Sequence, residues 1–466
     1  MGTEYLIWVA VGYALLTIAI IAFEVRRTRA SGPDVLSLFM AVFVLQCCLP
    51  GIVIFGCLPF TGIHQPTGNP AFDRIFAASD FPSALLVLGL TASFAFFLYV
   101  FMTLGKIVMR RLIPAASDRG WFVLRGSAAG LLVLLTLGLV LSLASFWLLG
   151  DTLIDRYVSL IELRAYSDEV KLTSLSNSAF LLMQCWGWLS IVALFVLFER
   201  NGRDLAWYCC LAGAVIFAVL ATSRRAIFIP ILLGYFTLVL FDGRWRLKSL
   251  LVVSIPIFLW VAFGKEILAA VAYGGTTENV ISEYDTPGAG ALRTASEVGI
   301  TVVESLGSVS LLDLPPRLGV DQVLSIMHGP PIGWVLHWLG QDDALPKRVV
   351  RFSTEAFATS NDQDIPPGIF GQMWLDFRIL GPVVWAFGFA VQLSVLQRIF
   401  ALLVRTRQAV AAVVLVAFVI ALPLNTGSYD FSFADDMIGV TLCLLLTFRA
   451  ARVRLNLADG RGTSCG

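Results

Sequence analysis

The sequence predicts an all-α fold: a polytopic membrane helix bundle of about eleven transmembrane helices, with one large loop outside the membrane. Three observations carry this prediction. Apolar runs near twenty residues recur along all 466 residues, and each is long enough to cross about 30 Å of hydrocarbon as a helix. Only 14% of the residues are charged and 58% are hydrophobic, whereas a soluble domain averages about 25% charged. The polar segments between the runs alternate sharply in charge.

The predicted spans are 5–23, 36–58, 83–105, 127–149, 179–198, 205–222, 226–241, 249–264, 379–397, 409–424 and 437–448. The first begins after Glu4 and is followed by "EVRRTR". A signal peptide is basic before its apolar stretch, so this one reads as a retained span. Segments 24–34, 106–126, 199–204, 242–248, 398–408 and the tail from Arg449 hold 20 Lys/Arg and 7 Asp/Glu. The N-terminus and segments 59–82, 150–178, 223–225, 265–378 and 425–436 hold 13 Lys/Arg and 25 Asp/Glu. No formal charge falls in the middle of a span. Lysine and arginine accumulate in cytoplasmic loops, so the first set is expected inside. The N-terminus is then outside and the C-terminus inside.

Four parts follow: a bundle of spans one to eight over 1–264, an outer loop domain over 265–378, spans nine to eleven over 379–448, and a cytoplasmic tail over 449–466. The loop is long for a connection, and long ordered loops tend to be functional. It carries a helix-like stretch, "LRTASEVGITVVESLGSVSLL", and an aromatic one, "HGPPIGWVLHWLGQ". Trp334 and Trp338 are four apart, as on one face of an interfacial helix.

Several classes are disfavoured. The eight cysteines show no CxxC or Cys/His spacing, so no metal site is expected. P-loop, dinucleotide and HExxH signatures are absent. The charge pattern gives no support to nucleic-acid binding.

Chemistry concentrates at the outer face. "SRRAIFIPILL" puts Ser223, Arg224 and Arg225 at the outward end of the seventh span, against the charge bias. Ser223 suits an N-cap. Free backbone N–H groups and the helix dipole make such an end an anion site, and two guanidinium groups beside it suit a phosphate or diphosphate. The alternative is that the pair anchors the helix end among headgroups. A second basic cluster, Lys347, Arg348 and Arg351, precedes "DIPPG", a helix-start signal before the ninth span. It reads as a binding cluster or as a solvated face. Asp376 and Arg378 are two apart and do not share a helix face. His337, between two tryptophans, and Asp376 are the candidates for a proton acceptor.

These stretches resemble a known family. "LATSRRAIFIPILLG" is similar to the span of Wzy-type O-antigen polymerases that reads small-Ser/Gly-Thr/Ser-Arg-small-aliphatic. "SNDQDIPPGIFGQMWLDFRILGPVVWAFGFAV" resembles the segment after that family's large periplasmic loop. Order and spacing match as well. One departure is Arg378, where the family often has glycine after the phenylalanine. Another is that no arginine in the loop is followed by glycine eleven positions later, a pattern of some members.

The resemblance implies an integral-membrane glycosyltransferase of GT-C-like fold, without metal or other cofactor, in the bacterial inner membrane and facing the periplasm. It implies transfer of a growing glycan from undecaprenyl diphosphate to the nonreducing end of a lipid-linked repeat unit. Partners would be that lipid-linked oligosaccharide, membrane lipids, and possible companions in a chain-length regulator and a flippase. By the resemblance Arg224 or Arg225 maps to the motif arginine, with Arg224 favoured. Apart from the resemblance, the basic residues themselves suit diphosphates and nearby sugars: Arg224, Arg225, Lys347, Arg348 and Arg351, with Arg378 as a further binding candidate. The rival readings are an O-antigen ligase, which shares topology and donor, and a flippase for the lipid-linked oligosaccharide.

Overall fold

The structure is a computed structural model that describes residues 5–61, 70–112, 122–125, 224–242, 299–311, 314–321, 349–357, 365–406, 408–425 and 454–457, with scattered residues between them. Among these the helices are α1 (Leu6–Ser31), α2 (Val35–Phe43), α3 (Leu49–Thr61), α4 (Pro70–Ala78), α5 (Phe81–Leu112), α6 (Arg224–Asp242), α7 (Ile300–Ser310), α8 (Val349–Phe357), α9 (Gly368–Phe377), α10 (Gly381–Arg405) and α11 (Ala409–Asn425). The prediction of an all-helical chain meets one exception. Strands β1 (Phe122–Arg125) and β2 (Arg454–Leu457) form an antiparallel ladder. Among the described residues, four helical stretches are long and apolar enough to cross a membrane: Leu6–Arg29, Val35–Pro59, Phe81–Gly105 and Gly368–Arg405. Shorter apolar helices, Ile231–Phe241 and Ala411–Ile420, coincide with two further predicted spans. The predicted spans 127–149, 179–198, 205–222, 249–264 and 437–448 lie outside the described residues.

Local chemistry explains the first turn. Gly32, at φ 70°, ends α1 by donating its N–H to Thr28 O at 2.8 Å. Two residues later Asp34 caps α2, accepting from Ser37 N at 3.0 Å, while Ser37 Oγ accepts from Asp34 N at 3.2 Å. Between α2 and α3 lies a π-turn, Val44–Cys48, in which Leu49 N–H reaches back five residues to Val44 O. Pro50 follows and has no N–H to continue the regular ladder, so the wider turn accommodates it.

Packing fixes relative directions. α1 and α5 run side by side in the same sense, pairing Tyr13 with Thr91 and then Phe23 with Tyr99. α10 runs with them, pairing Phe389 with Phe94 and Ser394 with Met102. α2 and α3 run the other way, so that Phe55 of α3 stacks on Tyr13. Aromatic rings of Phe39, Phe43, Phe94, Phe370 and Phe389 meet at the centre.

Among the described residues, the basic segments near Arg27, Trp245 and Arg398 gather at one end. Trp245 Nε1 donates to Thr28 Oγ1 at 3.1 Å, and the N–H of Val35 donates to Gln397 Oε1 at 2.8 Å. Arg27 binds Glu24 at 2.8 Å and Asp34 at 2.7 Å there. Phe241 near the end of α6 meets Phe400 near the end of α10, so α6 shares this end with α10. Nineteen helical residues span about 28 Å, which puts Arg224 and Arg225 a membrane thickness away.

The outer faces of the helices are apolar. On α10, Val384, Phe387, Val391, Val395, Ile399 and Leu402 are exposed at intervals of three or four residues. Trp8, Val11, Leu15 and Ile18 do the same on α1. Exposed stripes of this kind belong in hydrocarbon rather than water.

Candidate functional site

Opposite the basic end, segment 265–378 does not simply cover the bundle. Two of its helices enter the core. α7 is buried on every side from Thr301 to Val309, as expected of a helix enclosed by others. It packs on α9, α4, α5 and the π-turn. α7 crosses α9 through small residues. Gly368 has φ +64°, and a Cβ on Gly371 would lie 2.6 Å from Ser308 Cβ, so the two backbones approach as only glycine permits. Thr301 Oγ1 accepts the N–H of Ile369 at 3.1 Å and satisfies the start of α9.

The chain reverses after α9. Arg378 sits at φ 52° and ψ −130°, a region that favours glycine. A short 3-10 turn, Arg378–Leu380, then leads into α10. The carbonyls ending α9 are satisfied by residues sixty positions earlier. Arg317 N–H donates to Leu375 O at 2.9 Å, and Leu318 N–H to Asp376 O at 3.1 Å. Leu318 also has positive φ, at 53°. Two non-glycine residues in sparsely populated backbone regions, held against each other, mark a functional candidate.

The side chains here form a buried polar knot. Asp376 is 0% exposed. Its Oδ1 accepts from Gln372 Nε2 at 2.7 Å and from Gly319 N at 3.2 Å. Asp321, also 0% exposed, receives Arg317 through both Nε at 2.9 Å and Nη2 at 2.7 Å. This is the bidentate geometry that gives strong charge-assisted bonds. The guanidinium of Arg378 donates to Leu314 O and lies over the Trp374 ring at 5.2 Å. Glu304 of α7 is buried. Gln372 Oε1, Ser308 Oγ and Trp374 Nε1 are buried and have no hydrogen-bond partner among the described residues. Such atoms are uncommon and ask for an explanation.

Chemically, this arrangement presents two partly exposed, preorganised guanidinium groups at one end of an apolar bundle, Arg317 already paired with Asp321 and Arg378 over Trp374. Fixed cations can stabilise developing negative charge. No cluster of three or more His, Cys, Asp or Glu that would hold a metal ion occurs among the described residues.

Of the residues named from sequence, Asp376 and Arg378 fall in this knot. Arg224 and Arg225 open α6 at the end away from the basic segments, and Arg351 lies in α8, which packs on α4 and α7. Ser223, His337, Lys347 and Arg348 lie outside the described residues. Sequence reasoning missed Glu304, Arg317, Asp321 and Gln372. A signal existed for one pair: "RLGVD" spaces opposite charges four apart with only apolar residues and glycine between. Comparison with family models, with curated proteins and with solved structures found no match.

Proposed function

We propose that the protein is a metal-independent glycosyltransferase of the O-antigen polymerase type. It lengthens a glycan carried on undecaprenyl diphosphate at the periplasmic face of the bacterial inner membrane. In this reading the spans alternate eleven times and the basic end faces the cytoplasm. Arg224 and Arg225, with Arg317 and Arg378, meet the departing diphosphate as its charge develops. Arg351, Lys347 and Arg348 bind neighbouring phosphates or sugars. Asp376 already accepts from Gln372 and Gly319, which makes it a positioning residue for the turn that carries Arg317. The acceptor hydroxyl then gives its proton to another group, with His337 the first candidate.

The observation that supports this reading is the ionisable knot at the end opposite the basic segments, in which Asp321 and Asp376 are fully buried and Arg317 and Arg378 partly so. Ionisable groups enclosed in a membrane bundle mark substrate sites by default. The test is purified protein with a synthetic undecaprenyl-diphosphate repeat unit. A ladder of lengthened products is expected, with loss of the ladder in Arg224→Ala and Arg225→Ala variants that still fold. A normal ladder in both variants rejects the assignment.

One observation favours a second reading. Glu304 lies within a helix enclosed by the bundle, and a flippase needs ionisable groups along its path. Passage of the intact lipid-linked oligosaccharide across proteoliposomes, with no ladder, would select that reading.

A further inference from the structure

We infer that the surface formed by Leu318, Val320 and Val323 together with Ile379 and Leu380 is inserted into the bilayer, with lipid hydrocarbon as its occupant. The inference stands apart from the glycosyltransferase reading and concerns how deep the site lies.

The two short segments are one surface. Leu318 N–H bonds to Asp376 O, and the guanidinium of Arg378 bonds to Leu314 O. That surface is inverted relative to a water-facing turn. Its aliphatic side chains point outward, with Leu318 68%, Val323 57%, Ile379 80% and Leu380 66% exposed. Its charged side chains point inward. Asp321 is fully buried against Arg317, and the Arg378 guanidinium lies over Trp374. Water would favour the opposite arrangement, since polar groups gain from hydration and aliphatic ones lose by it. Pro315 and Pro316 are also exposed and add no charge. The turn even places leucine, not glycine or asparagine, at φ 53°.

Continuity identifies the occupant. Ile379 and Leu380 directly precede α10, whose exposed stripe begins at Val384 and Phe387. The membrane-facing surface of that helix therefore extends onto Leu318, Val320 and Val323, although these residues belong to the long polar segment of the sequence. Arg317 and Arg378 then sit behind a lipid-contacting rim, at the depth of phosphate headgroups.

The experiment places a photo-crosslinking amino acid at positions 318, 323 and 379, and at Phe387 on α10 as the reference. Each variant is reconstituted in vesicles of phosphatidylethanolamine and phosphatidylglycerol, irradiated, and analysed by mass spectrometry. The expected result is phospholipid adducts at 318, 323 and 379, as at 387. Absence of lipid adducts at the three sites while 387 reacts would overturn the inference. So would adducts to a second copy of the chain in place of lipid.

Discussion

Replacing Arg317 by methionine tests whether the polar knot is held together by its ion pair. The substitution keeps the aliphatic length and the backbone N–H that bonds to Leu375, and removes two charge-assisted hydrogen bonds to Asp321. Asp321 is 0% exposed, while Arg317 is 19% exposed. Breaking a buried pair by deleting one partner costs about 3–5 kcal/mol, whereas apolar replacement of both is often close to neutral. The partial exposure of Arg317 argues for the lower end, about 3 kcal/mol. Asp321→Leu costs less, because the group it leaves behind retains some access to solvent or headgroups. The double variant Arg317→Met/Asp321→Leu recovers most of the loss. Equilibrium unfolding in mixed detergent micelles reads all four states of the cycle. If the two single losses simply add in the double variant, the pair is not coupled and this account of the knot is refuted.

Other outcomes follow from the same geometry. Arg378→Gly relieves the positive-φ backbone, worth about 1 kcal/mol or more, and loses the contact with Trp374, worth about 0.5–2 kcal/mol. Its thermal stability is therefore expected near that of the parent while glycan lengthening falls, whereas Arg378→Ala loses on both counts. Gly371→Val drives a side chain into Ser308 and Ser305, and overpacking of this kind costs about 1–3 kcal/mol; a drop in unfolding temperature checks it. Asp80 caps α5 by accepting Ser83 N at 2.9 Å and Ser83 Oγ at 2.6 Å, and these bonds hold its carboxyl below the usual range. Its folded value lies below its unfolded one, so its stabilisation is present above the unfolded value and is lost as pH falls through the folded one. Asp80→Ala should cost about 1 kcal/mol at neutral pH, a difference that closes on acidification below about pH 4 in paired melts.

Much of the frame was legible because hydrocarbon imposes simple demands. Predicted spans 5–23, 83–105, 226–241, 379–397 and 409–424 fall on α1, α5, α6, the 3-10 turn with α10, and α11, while 36–58 covers α2, the π-turn and α3 together. α1 continues to Ser31 because charged residues tolerate a helix once it leaves the membrane core. The stop and start at Gly32 and Asp34 act through local backbone chemistry, although from sequence this stretch reads only as a basic connection. The burial of α7 was not readable. Its sequence, "ITVVESLGSVS", looks like any modestly apolar loop helix. What encloses it is its crossing with Gly368 and Gly371, a contact sixty residues away. Asp376 stands out by its charge, and Arg378 by its charge and by its place in the segment after the loop. Their partners Gln372, Arg317 and Asp321 join them through tertiary hydrogen bonds that no local pattern announces.

The enclosure of α7 also sets a timetable for biogenesis. Its neighbours α4, α5 and the turn before Pro50 leave the ribosome long before residue 300 is made. At roughly 5–20 residues per second, the wait is on the order of ten to forty seconds. During that interval the pocket destined for α7 must be occupied by lipid or by a neighbouring span. A nascent chain arrested between α5 and α7 should therefore be the species most vulnerable to quality-control proteases.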